Sequence, residues 1–184
     1  MGLIYWRSTR NNVNEQVSEE NPFPVQIVQE DYLPPQAGGQ ITRLVKVPGI
    51  GTASPYAAGD AFGTLVTLPD MFRPNKNAGN IVKVVLYDLD DEGLQKDLIF
   101  YARSVTTTAD NVAYAPSDID LLASVGALSL TSFVNLSSNQ IGTWTGNLHV
   151  MSQDRNLYVR LVTQGADNIA AGSEPWLAVT VIPD

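Results

Sequence analysis

Apolar runs of strand length recur along this chain, rich in Val, Ile, Leu, Phe and Tyr and bounded by Gly, Asn, Asp or Pro, which is how half-buried strands read. The densest block spans residues 56–122. It holds runs over 56–68, 79–88 and 96–103, and further runs at 25–29, 41–47, 125–131, 141–151, 156–162 and 176–182 predict strands around it. In the run 156–162, Leu157, Val159 and Leu161 alternate with Tyr158, Arg160 and Val162, the period of two that sends successive side chains to opposite faces. The run 81–87 is apolar throughout except Lys83, which predicts a strand covered on both faces or set against a subunit contact. Phe62, Leu65 and Leu68 do not alternate cleanly around Gly63, so a bulge or close backbone approach is expected there. The one helix signal is Asp118-Ile-Asp-Leu-Leu122. Ser117 is placed to accept the amide of residue 120, and Asp118 and Asp120 sit in the first turn near the positive helix end.

About nine strands at spacings near ten residues, with almost no helix, predict an all-β fold: an antiparallel β-sandwich or jelly roll with one short helix and an extended N-terminal arm. No internal repeat of solenoid or propeller length is present. The expected division is an arm over 1–24 and a β-sandwich domain over 25–184. Pro34, Pro35, Gly38 and Gly39 keep 31–39 out of regular pairing, and 164–175 reads as a long loop. Residues 8–22 carry few apolar anchors and no sustained period, too little to offset their ordering entropy alone. Such a segment is either a frayed terminus or a tether. Ile4, Tyr5 and Trp6 ahead of it, with Phe23 at its end, are the candidate capsid or subunit contact residues of a docking arm.

Composition narrows the function classes. A chain of 184 residues with 44% hydrophobic residues is long enough for a substantial core, and no apolar run approaches the roughly 18 residues of a membrane span. The start Met1-Gly-Leu-Ile-Tyr-Trp-Arg7 has neither the apolar core and cleavage site of a signal peptide nor a myristoylation context, so synthesis in the cytoplasm is expected. The absence of Cys removes disulfides, thiolate metal sites and Cys nucleophiles. A net charge of -8 argues against a nucleic-acid wrapping role. Only 16% of residues are charged, which leaves a largely neutral surface compatible with large subunit contacts.

The search for chemistry returns little. His149 is the only imidazole and lies in a strand between Leu148 and Val150, with no Gly-x-Ser-x-Gly nucleophile motif anywhere. Gly49-Ile-Gly51 lacks a third glycine and a following helix, so it is a turn and not a dinucleotide fingerprint. Asp88-Leu-Asp-Asp-Glu-Gly93 matches the first half of an EF-hand loop. The match fails at the twelfth position, Ile99, and no helices flank it, so a solvated acidic hairpin turn is expected. Asp60, Asp88, Asp118 and Asp120 each adjoin residues typical of turns and caps. The expectation is a protein that is not an enzyme, with no catalytic, cofactor-binding or metal-binding residues.

Three segments carry a resemblance. Tyr56-Ala-Ala-Gly-Asp60-Ala-Phe-Gly63, a strand ending in Tyr87-Asp88, and Asp110-Asn-Val-Ala-Tyr-Ala-Pro-Ser-Asp118-Ile-Asp120 follow one another as in small virion proteins of tailed bacteriophages, and Asn21-Pro-Phe-Pro-Val25 resembles their lead-in. The family includes head decoration, or cement, proteins, and the likeness covers roughly residues 20–130. It implies a capsid decoration protein that binds the outer surface of the major capsid protein shell as a homotrimer and stabilises the head, located on the virion exterior. Two alternatives stand beside it. One is a phage tail or receptor-binding component. The other is a carbohydrate-binding β-sandwich in which Trp144, Trp176 and Tyr158 would stack on sugars instead of filling the core.

Overall fold

The computed structural model describes residues 5–7, 14–16, 39–51, 54–170 and 172–184; the strand expected over 25–29 lies outside them. The chain divides into two units, Met1–Glu30 and Asp31–Asp184. In the first, β1 (Tyr5–Arg7) and β2 (Asn14–Gln16) pair antiparallel, with Tyr5 opposite Gln16 and Arg7 opposite Asn14. No strand is legible in this polar stretch of sequence, because ladder hydrogen bonds come from the backbone and need no apolar period.

The second unit runs β3 (Ile41–Lys46), β4 (Ala61–Leu68), β5 (Ala78–Asp88), β6 (Lys96–Tyr101), α1 (Asp118–Leu121), β7 (Ser124–Leu130), β8 (Phe133–Asn135), β9 (Gln140–Met151), β10 (Leu157–Thr163) and β11 (Trp176–Pro183). Its strands form a four-stranded sheet ordered β4-β10-β6-β7 and a five-stranded sheet ordered β3-β11-β5-β9-β8. All pairings are antiparallel. The pairs nest: β3 with β11, β4 with β10, β5 with β9, β6 with β7. Nested pairing distributed over two facing sheets is a long two-stranded ribbon rolled on itself, the jelly-roll form of the β-sandwich. β8 is an addition to the edge of β9.

Between the sheets the inward positions of both layers make one apolar core, including Phe62, Leu68, Ile81, Phe100, Val159 and Leu177, each at most 1% exposed. The alternation expected in β10 holds. Leu157, Val159 and Leu161 face this core, while Tyr158, Arg160 and Val162 point outward and are nevertheless buried. The loop between β6 and α1 covers Arg160, its Thr108 carbonyl accepting Arg160 Nη2 at 3.1 Å and its Tyr114 ring lying 5.6 Å from the guanidinium, and Tyr158 packs with Tyr101 and Val105.

Two irregularities re-aim side chains. Against β10, β4 passes from Val66 to Phe62 while β10 advances only from Val159 to Leu161, so the expected bulge at Gly63 is present. Gly63 has φ +73°, and a Cβ there would lie 2.6 Å from the Pro48 carbonyl oxygen. In β5 the register shifts between Ile81 and Lys83, so that Ile81, Val84 and Leu86 all reach the core. This is why the run looks continuously apolar: a parity change lies inside it. On its outer face Val85 is buried, and Val82 and Tyr87 are partly so.

The first apolar run is shorter as a strand than its sequence suggests. Residues 56–60 form a turn in which Asp60 Oδ2 accepts the Ala57 amide at 2.7 Å and Gly59 adopts φ +91°.

Candidate interaction surface

The two sequence segments that stand out, 56–63 and 110–120, meet in the fold. Asp110 joins them. Its Oδ1 accepts the Gly63 amide at 2.6 Å, its Oδ2 accepts the Gly51 amide at 2.7 Å, and the Tyr56 hydroxyl donates to both oxygens at 2.8 and 2.9 Å. A carboxylate accepting two backbone amides and a phenol makes charge-assisted bonds, stronger than neutral ones. The backbone adds a short ladder: Asp60 bridges Ala113, the Asn111 amide donates to the Ala61 carbonyl, and the Tyr114 amide donates to the Gly59 carbonyl. Burial, followed by the Asp110 bond and charge, pushes the Tyr56 phenol well above the usual tyrosine range. Tyr101, hydrogen-bonded to Tyr114 through their hydroxyls, is raised in the same way by burial first.

This anchored loop carries α1. Ser117 caps it as expected, its Oγ accepting the Asp120 amide at 3.2 Å. Arg103 clasps the helix from outside, donating to the Ile119 carbonyl at 3.1 Å and standing 3.8 Å from Asp120. With its backbone so held, α1 and its cap present aliphatic side chains to solvent: Ile119 is 72% exposed, Leu121 54% and Leu122 86%, with Val112 of the same loop at 49%. Single exposed aliphatics are ordinary; three of them on a one-turn helix and its C-cap, on a pinned loop, make this the candidate interaction surface by composition and rigidity. The signal is in the sequence. Three aliphatics in the four residues 119–122 cannot all face one core from a single turn, a feature that the capping pattern of the same segment overshadows.

Of the contact residues expected in the arm, Ile4 and Phe23 lie outside the described residues, while Tyr5 and Trp6 belong to β1, opposite Gln16 and Glu15. The acidic turn over 88–93 is not the hairpin turn expected: β5 pairs with β11 and β9 and β6 with β10 and β7, so the turn carries the chain from one sheet to the other. Asp88 Oδ1 accepts the Asp90 amide at 3.0 Å and Oδ2 the Gly93 amide at 2.8 Å, and Asp91 takes the side-chain amides of Asn135 and Gln140. Among the described residues no three His, Cys, Asp or Glu side chains converge as a metal site would require. His149 is exposed and stands 3.8 Å from Asp184. Of the three aromatics offered as sugar platforms, Tyr158 is buried with its hydroxyl on Asp154 at 2.6 Å, Trp144 packs against the core, and Trp176 is half-buried.

No family model and no curated protein matches the chain. Among solved structures it is similar to the VP2 subviral particle of infectious bursal disease virus, with a TM-score of 0.34 and 11% identity over 98% of this chain and 37% of that one. A structure of the Gt strain of infectious bursal disease virus gives a TM-score of 0.33 and 9% identity over 98% of this chain and 38% of that one. The chain thus spans little more than a third of the length of the chains it matches. At these scores the likeness adds nothing to the architecture already read from strand pairing.

One polar cluster lies inside the sandwich. Lys96 at the start of β6 and Thr163 at the end of β10 are register partners, and Asp167 from the following loop closes over them. Lys96 Nζ is 2.7 Å from Asp167 Oδ1 and donates to the Leu94 carbonyl at 2.8 Å, while Thr163 Oγ1 donates to the other Asp167 oxygen. Lys96 is 2% exposed and Asp167 0%. A buried ion pair of this kind is weak evidence for stability, since desolvation offsets the attraction.

Proposed function

We propose that this protein is a virion structural component of a tailed bacteriophage, a decoration protein that binds the outer surface of the major capsid protein shell and reinforces the head. The observation that carries the reading is the α1 surface. Ile119, Leu121 and Leu122 are more than half exposed on a helix fixed by Asp110, Arg103 and Ser117, and the segments that build this platform are those resembling head decoration proteins. The mechanism is association without chemistry. Burying one such side chain against a shell contributes roughly 1.5–3 kcal/mol, and a homotrimer engaging several capsid subunits multiplies that through effective concentration. The arm, with Ile4, Tyr5, Trp6 and Phe23, supplies a second point of attachment.

The test is rebinding. Purified chain is mixed with phage heads stripped of their decoration and pelleted, alongside the double variant I119S/L122S. Wild type co-sediments with heads, and the variant loses about 100-fold in affinity, the order expected from two lost apolar contacts at about 1.4 kcal/mol per tenfold. Binding to host cells and not to heads would replace this reading with the tail or receptor-binding one. A chain that ignores phage particles altogether would overturn both.

A further inference from the structure

The Lys96–Asp167 contact has features that a salt bridge does not need. Both groups are shut inside the sandwich, the amine stands 4.9 Å from the centre of the Phe62 ring, and 71 residues separate them in the chain. In such surroundings burial disfavours the charged amine, and the 2.7 Å contact puts the two groups within reach of a proton transfer that would remove two buried charges at once. Burial drives the Lys96 amine below its ordinary range despite the attraction of Asp167. Glu92 stands by: its carboxyl is raised, first by burial and then by the charge of Asp167, and it takes the amide of Asn168, the residue after Asp167. Thr163 holds one Asp167 oxygen while the other accepts the Lys96 amine.

We propose that Lys96 and Asp167 condense into an intramolecular isopeptide bond, a covalent tie between the start of β6 and the loop after β10. The proton passes from the Lys96 ammonium to the Asp167 carboxylate, and the free amine adds to Cγ, forming the N–C bond. The C–O bond to the protonated oxygen then breaks, the departing hydroxyl takes the second amine proton, and one water leaves. No oxidant, reductant or co-substrate enters. The fold supplies what an amine and an acid lack in water: dry surroundings, contact distance and neighbours that hold both groups, the circumstances in which intramolecular reactions reach very high effective molarities. Glu92 is a positioning residue, tied to the amide of Asn168 and so holding the loop that carries Asp167.

Intact mass spectrometry of the full chain, unfolded after incubation at neutral pH, decides the matter. The expected result is a mass below that of the sequence by one water, with tandem fragmentation joining the Lys96 peptide to the Asp167 peptide. The variants K96R and D167A keep the unmodified mass, and E92Q accumulates the cross-link more slowly. Wild-type protein at its full sequence mass overturns the proposal. So does a water loss that persists in K96R and maps to a cyclised aspartate.

Discussion

Replacing Asp110 by alanine should destabilise the sandwich by about 3–4 kcal/mol. Three donors lose their acceptor at once: the amides of Gly51 and Gly63 and the hydroxyl of Tyr56, at 2.6–2.9 Å. Hydrogen bonds to charged groups contribute about 1.5–3 kcal/mol each; because Asp110 is half-buried and water can reach part of the site, about 1–1.5 kcal/mol per donor is the fitting figure. Against a total stability of roughly 5–15 kcal/mol this is a large fraction. Urea unfolding followed by tryptophan fluorescence should show the midpoint falling by about 2 M with an unchanged slope. An amide is not a conservative replacement here. The Gly63 N–H meets one oxygen and the Gly51 N–H the other, so either orientation of the introduced carboxamide turns an NH2 onto an N–H, and D110N should cost at least about 2 kcal/mol. Y56F removes one donor only and should cost about 1 kcal/mol, with a coupling of similar size in the Y56F/D110A double variant. A D110A protein within about 1 kcal/mol of wild type, or a D110N protein indistinguishable from it, would refute the claim that this carboxylate joins the two segments.

Other consequences are as direct. Gly63→Ala should cost about 2–4 kcal/mol, since it places a side chain at φ +73° and against the Pro48 carbonyl, and urea unfolding reads it. Stability should fall as pH rises above about 10.5: Tyr56 and Tyr101 stay protonated in the fold while their unfolded counterparts ionise near pH 10, a loss of about 1.4 kcal/mol per pH unit for each. Ultraviolet titration should find Tyr56 and Tyr101 still protonated at a pH where free tyrosine has ionised, and Y56F and Y101F should each remove one late-titrating phenol. I119S/L122S should leave the unfolding free energy within about 0.5 kcal/mol of wild type while head binding is lost, because both side chains are already in water.

Much of the local structure can be read along the chain. The alternation of Leu157, Val159 and Leu161, the Ser117 cap, the Gly63 bulge and the presence of a turn over 88–93 all follow from residue type and spacing, since each depends on neighbours within a few positions. That this turn crosses between sheets instead of closing a hairpin does not, because it depends on which strands β5 and β6 pair with. β8 leaves no trace in the sequence because three residues carry too little pattern. The turn over 56–60 reads as strand because its apolar residues serve a turn as well as a ladder.

Partner choice belongs to the tertiary structure alone. Every long strand of the sandwich is a stretch rich in Val, Ile, Leu and aromatics that could pair with several others, and only the closed arrangement of two sheets selects β3 with β11 and β4 with β10. The same closure brings Asp110 to Gly63 across 47 residues and Lys96 to Asp167 across 71. A carboxylate in the sequence announces a charge; whether it caps a turn, pins a loop or faces a buried amine is decided by which backbone the fold lays beside it, through contacts that no local pattern encodes.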